Sequence, residues 1–228
     1  MWSVLIAAAG ASARMGGVDK LALPLGGKPV LWHALNAFRA TGWFARAAVV
    51  TLPARRQLLE ATGLGPGCPV DWVAGGARRQ DSVANGLRHL AAFPEIEWVA
   101  IHDGARPFAE PGLIRRVLDA AARVGAAAPG IPVWDSLRQL ADGELAGPAI
   151  EREGLVRVQT PQAFPLRALL RAHERLAASG QEVSDDVTVY QMSGRPVAIV
   201  RGAERNVKIT TPEDIVLAAP LLAGPPAG

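Results

Sequence analysis

Cysteine is nearly absent: Cys68 is the one thiol in 228 residues. That excludes an internal disulfide and any metal site made of several cysteines. It fits a reducing cytoplasm, where the protein is expected to work. Cys68 lies between Gly67 and Pro69, in a turn, and is not expected to be catalytic. An excess of one charge is also missing. Twenty-four basic and 21 acidic residues leave a formal charge of +3. The isoelectric point of 9.6 reflects that small surplus and not a basic patch, so no nucleic-acid partner is expected. No apolar run approaches the roughly 20 residues of a membrane span, so no membrane partner is expected either. Val4 to Ala9 followed by Ala11-Ser12-Ala13 imitates a signal peptide and its cleavage site. The stretch lacks a basic n-region, and its apolar run is shorter than the roughly 7 to 15 residues required, so export is not expected. No repeat occurs at solenoid spacing.

What is present is enough for a sizeable core: half the residues are hydrophobic, in one large domain or two small ones. The chain is organised around VLIAAAGASARMGGVDKLALPLGGKPV, Val4 to Val30. An apolar run that breaks at a glycine is how a buried parallel strand delivers its backbone to a phosphate. Small residues at Ala7 to Gly10 let a ligand approach the main chain closely. Arg14 and Lys20 would then place positive charge where a triphosphate lies. The loop is neither a dinucleotide fingerprint nor a GxxxxGK[ST] loop. A buried strand followed by a polar surface loop is the competing reading.

Strand-like and helix-like segments alternate from there. Helices are expected at Lys28–Thr41, Pro53–Ala61, Gln80–Ala91 and Glu110–Val124, and strands at Ala47–Leu52, Val70–Ala74 and Trp98–His102. This order predicts an α/β fold with a doubly wound, mostly parallel sheet. After Ala126 the pattern changes. Ile131–Leu140 and Leu155–Gln159 read as extended, with the turn signal Asp142-Gly143 between them. This arm, about residues 136–157, has little apolar content to bury alone and is expected to pack on a second subunit. Helices Pro165–Ala178, Asp185–Met192 and Pro212–Leu222 and strand Val197–Arg201 complete a single domain, 1–222, with a disordered Gly/Pro-rich tail, 223–228.

Three further places carry chemistry. Gly75 to Ser82 is a second glycine loop between a strand and a helix, and should share a crevice with the first. Its glycine amides could read the edge of a base and Ser82 could hydrogen-bond it, or Asp81 or Ser82 could simply cap the helix. Asp103 ends a strand at the same edge. A lone carboxylate beside a triphosphate suits Mg²⁺ or another divalent cation, although a turn aspartate bonding its own backbone is common. His102 reads as a core histidine. Arg152 and Lys208 are charged positions that local pattern does not explain.

Taken together, the residues resemble the 2-C-methyl-D-erythritol 4-phosphate cytidylyltransferase family of the non-mevalonate isoprenoid pathway. The resemblance runs from about Leu5 to Leu217. It rests on Ala7-Ala8-Ala9-Gly10 with Arg14-Met15, on Lys20, on Gly75-Gly76 with Arg79 and Ser82-Val83, and on His102-Asp103 with Ala105-Arg106-Pro107. It continues through Gln159-Thr160-Pro161-Gln162, Ser184-Asp185-Asp186 and Asn206 to Asp214. It implies a Rossmann-like nucleotidyltransferase fold of the glycosyltransferase-A-like kind, with a protruding β-arm, and a homodimer interlocked through that arm. It implies that Arg14, Lys20, Arg152 and Lys208 are catalytic cations, that Ala8, Ala9, Gly10, Gly76, Ala77, Ser82 and Asp103 bind the nucleotide, and that Asp103 meets the metal. Arg106, Ser136, Arg152, Thr160, Ser184 and Lys208 would hold the sugar-alcohol phosphate, with Ser136 and Arg152 reaching in from the partner subunit.

The sequence departs from the family at several points. Ser12 stands for a second glycine, the loop from Met15 to Lys20 is short, and Asp19 and Leu21 flank Lys20 in place of the commoner Pro and Gln. Gly104 replaces an alanine, and Ser136 and Ser184 replace threonines. The implied reaction joins CTP to methylerythritol phosphate with loss of pyrophosphate. The nucleophile is a phosphate monoester, mostly dianionic near neutral pH because its second pKa is about 6, so no general base is needed. Ribitol 5-phosphate cytidylyltransferases share the cytidine side. Sugar-1-phosphate and molybdopterin nucleotidyltransferases share only the first loop, and the Gln159 to Gln162 block argues against them. A non-catalytic nucleotide-binding regulator need not keep both Arg14 and Lys20.

Overall fold

The computed structural model describes residues 1–10, 18–64, 67–141, 143 and 145–223. Arg14, the first half of the loop from Met15 to Lys20, Asp142 and Glu144 of the arm's expected turn and all but the first residue of the expected tail lie outside them.

In chain order the elements are β1 (Trp2–Ala8), β2 (Pro24–Leu25), β3 (Lys28–Pro29), α1 (Val30–Arg39), β4 (Arg46–Thr51), α2 (Pro53–Thr62), β5 (Val70–Ala74), α3 (Arg79–Leu90), β6 (Trp98–Asp103) and α4 (Pro111–Val124). The second half adds β7 (Ala127–Pro132), β8 (Leu137–Ala141), β9 (Leu145–Ile150), β10 (Val156–Val158), β11 (Gln162–Pro165), α5 (Leu166–Ser179), α6 (Asp186–Gln191), β12 (Ala198–Arg201) and α7 (Pro212–Ala218). The strands β10-β7-β11-β6-β1-β4-β5 form one sheet in that order, and β12 pairs with β7. Neighbours β6-β1, β1-β4 and β4-β5 are parallel, as is β12-β7; β11 and β10 run antiparallel to their neighbours. The mostly parallel, doubly wound sheet agrees with the sequence pattern.

The chain steps outward from β1 through β4 to β5, then returns to lay β6 on the other side of β1. Ligands bind outside the carboxyl ends of the strands at such a reversal. Register aligns those ends: Ala7 lies beside Asp103, Ala8 beside Thr51, and Thr51 beside Ala74. Alternation along β1 feeds two cores. Val4, Ile6 and Ala8 face α1 and α4, whereas Leu5 faces α3 and α5 with Val83, Leu87 and Leu169. Both faces are covered, so β1 reads as an unbroken apolar run.

Beyond end shifts of one or two residues and the short β2–β3 hairpin, which takes Lys28 and Pro29 from the expected first helix, the elements before the tail differ in three places. Extended structure begins at Ala127, and β7 stops at Pro132, so the segment expected as one strand to Leu140 is two. β11 was not anticipated: Gln162 to Phe164 carried no expected element and Pro165 was expected to open a helix, yet Gln162 to Pro165 pair with β6. The last helix turns into a 3₁₀ segment, Ala219–Ala223.

The arm is a hairpin of β8 and β9, tighter than expected, with a register shift between Arg138 and Leu140. Gly143 at its tip has φ 82°, the left-handed value a primed hairpin turn needs. Its apolar side chains face solvent in the single chain: Leu140 is 71% exposed and Leu145 63%. Among the described residues, no helix is long and apolar enough to cross a membrane.

Candidate active site

A cleft of about 400 Å³ opens at the carboxyl ends of β1, β5 and β6. One wall is the backbone leaving β1, Ala8 to Gly10, with Lys20; the other is the second glycine loop, Gly76 and Ala77, with Ser82 at the start of α3. Asp103 and Lys208 also line it. The described residues expected to bind the nucleotide thus share one cleft, together with two of the expected cations.

Asp103 is the hub. Its Oδ2 lies 2.7 Å from Lys208 Nζ and 3.8 Å from Arg106 Nε, and its Oδ1 lies 3.6 Å from Arg79 Nη2. Burial works against the charged carboxylate, but Lys208, Arg79 and Arg106 outweigh it and hold Asp103 well below the usual carboxylate range. It is the single carboxylate lining the cleft among the described residues. One carboxylate plus phosphate oxygens and waters is an ordinary Mg²⁺ site. The residues therefore fit such a cation, provided Lys208 exchanges its bond to Asp103 for a phosphate.

Hydrogen bonds fix the hub from behind. The Asp103 N–H donates to Thr160 Oγ1 at 3.1 Å, and Thr160 Oγ1 lies 3.0 Å from His102 Nδ1. The Arg106 carbonyl can only accept, which puts the single proton of a neutral His102 ring on Nε2 and leaves Nδ1 to accept from the Thr160 hydroxyl. His102 Nε2–H then donates to the Arg106 carbonyl at 2.9 Å. Burial lowers the His102 pKa to about 4, so the ring stays neutral at physiological pH. Thr160, expected at the sugar-phosphate, thus spends its hydroxyl bracing the hub and keeps one lone pair.

Lys208 is delivered by an amide clamp. Gln159 Nε2 donates to the Ala203 carbonyl at 2.9 Å and Gln159 Oε1 accepts from the Ala203 N–H at 3.1 Å. Asn206 Nδ2 donates to the Thr160 carbonyl at 2.8 Å, and Arg106 Nη1 donates to the Asn206 carbonyl at 2.7 Å. These bonds tie the segment before Lys208 to the break between β10 and β11. Arg106 is consequently a buried member of the scaffold as well as a partner of Asp103.

Two arginines escaped sequence reasoning as site residues. Arg79 opens α3, and its Nη2 donates to buried Asp186 Oδ2 at 2.8 Å. Asp186 Oδ1 in turn lies 3.0 Å from His173 Nε2. Burial disfavours the Asp186 carboxylate, but Arg79 and His173 hold its pKa down. Arg79 appeared only as part of a motif, and its partners, Asp103 and Asp186, are both distant in sequence, the second by 107 residues. Arg55, in the first turn of α2, donates to the carbonyls of Ala8 and Gly10. Nothing local distinguishes it from its exposed neighbour Arg56.

Of the two readings of the second glycine loop, the bonds within it form the helix cap. Gly76 N–H donates to Ser82 Oγ at 2.9 Å, and Ser82 Oγ donates to the Arg78 carbonyl at 3.1 Å. Asp81 closes a capping box with Arg78. The Gly76 amide is therefore engaged by Ser82 in this state. Ser136, Arg152 and Ser184 are exposed and do not line the cleft of their own chain. Arg152 Nη1 donates to the Trp134 carbonyl at the base of the arm.

Residues 2–223 match the family IspD: 2-C-methyl-D-erythritol 4-phosphate cytidylyltransferase. The chain is 45% identical over 223 residues to the 2-C-methyl-D-erythritol 4-phosphate cytidylyltransferase of Cereibacter sphaeroides, covering 97% of this chain and 96% of that one. It is 44% identical to a bifunctional enzyme IspD/IspF of Solidesulfovibrio magneticus, where 99% of this chain spans 58% of the relative. The crystal structure of 2-C-methyl-D-erythritol 4-phosphate cytidylyltransferase from Thermus thermophilus superposes with a TM-score of 0.79 at 40% identity, over 96% of this chain and 98% of that one.

Proposed function

The chain belongs to the 2-C-methyl-D-erythritol 4-phosphate cytidylyltransferase family, and from that membership and the cleft we propose that it transfers the cytidylyl group of CTP to methylerythritol phosphate, releasing pyrophosphate. One observation carries the reading: the backbone of Ala8 to Gly10, Lys20, Lys208 and Asp103 converge on one cleft at the reversal of the sheet.

The chemistry follows from charge. The substrate phosphate attacks the α-phosphate of CTP in line, and the difficulty is bringing two anions together. Lys20 and Arg14 meet the triphosphate, stabilising charge on the transferring group and on departing pyrophosphate. Small residues at Ala8, Ala9, Gly10, Gly76 and Ala77 leave room for the nucleotide. A divalent cation on Asp103 supplies further charge neutralisation when bound. Lys208 releases Asp103 and turns to the incoming phosphate. Arg106 and Thr160 hold the floor of that subsite, and Ser184 borders it from the segment leading into α6.

The arm completes the site in a homodimer. Ser136 and Arg152 lie away from the cleft of their own chain, and the arm carries apolar side chains that only a second surface would cover. Docked on a partner, the arm brings Arg152 to the neighbour's sugar-phosphate subsite. The compartment of action is the cytoplasm.

The test is pyrophosphate release with CTP and Mg²⁺, comparing methylerythritol phosphate with ribitol 5-phosphate and CTP with the other nucleoside triphosphates. Turnover of methylerythritol phosphate with CTP preferred supports the reading. Preference for ribitol 5-phosphate, or equal turnover of all nucleotides, contradicts it.

A further inference from the structure

The side chain of Arg55 is 97% out of solvent's reach, since only 3% of it is exposed. Burying a guanidinium is costly unless its donors are satisfied. Here they are satisfied by the two ends of a single segment. Nη1 donates to the Ala8 carbonyl, and Nη2 to the Gly10 carbonyl at 2.8 Å, both where the chain leaves β1. Nε donates to Asp19 Oδ2 at 2.6 Å, where the chain returns. Asp19 uses its other oxygen, Oδ1, to accept the Leu21 N–H at 3.1 Å. Lys20 sits between Asp19 and Leu21. Arg55 itself does not line the cleft; Ala8, Gly10, Lys20 and Leu21, which it touches or flanks through Asp19, do.

We infer that Arg55 and Asp19 are a positioning pair that holds Lys20 and the Ala8–Gly10 backbone in register for the nucleotide phosphates, an inference that rests on the nucleotide reading of the cleft. The rigid fork of arginine reaches three acceptors at once, which the single ammonium of lysine cannot reproduce. The carboxylate of Asp19 serves two donors with two separate oxygens. An asparagine has one acceptor end and must drop one of them.

The experiment compares Arg55→Lys and Asp19→Asn with Arg56→Ala, whose side chain is exposed, pairs with Glu60 one turn on and lies over the Trp72 ring, away from the loop. Thermal unfolding establishes that each variant is folded. Hydrogen exchange of peptides spanning residues 8–22 reports the ends of the loop directly, and kcat and KM are measured for both substrates. A misplacement of about 1 Å can cost about 10²-fold, so the pair's variants should show faster exchange there, with kcat/KM for CTP down about 10- to 100-fold. KM for the sugar-alcohol phosphate should stay within about twofold, and Arg56→Ala should match wild type. A merely structural role would lower the melting temperature without this split between substrates. Folded variants with wild-type exchange and wild-type CTP kinetics would overturn the inference; should Arg55→Lys fail to fold, Asp19→Asn alone decides. If the wild-type protein neither binds nor turns over CTP, the nucleotide reading falls, while the exchange data still decide whether the pair fixes the loop.

Discussion

The cleft and the arm are held in different ways. On the nucleotide side, side chains are set by buried groups of the same chain: Asp186 and His173 behind Arg79, Thr160 and His102 behind Asp103, Gln159 and Asn206 behind Lys208. On the arm, Ser136 and Arg152 flank a hairpin whose apolar residues are exposed and whose strands, among the described residues, pair only with each other. Packing fixes the nucleotide side; in the proposed homodimer, association with a second copy fixes the arm. Changes on the nucleotide side should therefore act through rate and stability, and changes on the arm through assembly.

The largest effect is expected at Lys20. Removing one preorganised transition-state donor costs about 10²–10³ in rate, so Lys20→Ala should lose that much kcat while its melting temperature barely moves. Steady-state kinetics beside a thermal melt checks both, and a wild-type kcat would make Lys20 a bystander. Next comes Asp186, with no exposed surface and bonds to both Arg79 and His173. Breaking a buried pair costs about 3–5 kcal/mol, so Asp186→Asn should be destabilised by roughly that amount in urea titration. It should also lose nucleotide affinity, because Arg79 is freed to close on Asp103. An equally stable and active variant would break the claim that the scaffold sets the site.

The pH dependence gives a smaller effect. Burial holds His102 down to about 4 in the folded protein, whereas an unfolded histidine titrates near about 6.5. Between these values the unfolded chain binds the additional proton. Stability from this group is thus complete above about pH 6.5 and is lost as pH falls toward 4. Between pH 7.5 and 5 the loss should be about 2 kcal/mol, and His102→Gln should remove that share of the slope. Identical slopes would contradict the assignment of a neutral, buried ring. Smallest of all is the effect of the arm on the folded chain. Leu140→Ser should alter unfolding free energy by no more than about 0.5 kcal/mol, as an exposed substitution does, while sedimentation shows a weaker dimer. An unaffected association constant would remove Leu140 from the interface.

The same contrast explains what was legible beforehand. The parallel sheet and its edge were readable because β1, β4 and β6 are short apolar runs ending in glycine, proline or aspartate. Ala8, Gly76 and Asp103 were legible as two small-residue loops and a strand-end carboxylate, Lys208 only through family resemblance, and the cleft unites them. What the sequence hid are groups that work through distant partners. Arg55 and Arg56 are adjacent arginines on one helix, yet one is buried against Ala8 and Gly10 while the other faces water. Gln162–Pro165 has no strand signal because its neighbours in the sheet, not its own pattern, make it a strand. Leu145–Ile150 contains a glycine and a proline and pairs only within the arm, so its extended form is set by the hairpin.

The central claim, a site with one half built in each chain's core and the other brought by a partner's arm, is tested most directly by mixing two inactive variants, Arg152→Ala and Lys208→Ala. A mixed dimer has one site lacking both cations and one site lacking neither. With random exchange about half of the dimers are mixed, each with one good site of two, so activity should recover toward about a quarter of wild type. Native mass spectrometry establishes that subunits have exchanged. Activity that remains at the level of the separate variants after confirmed exchange would contradict the shared site.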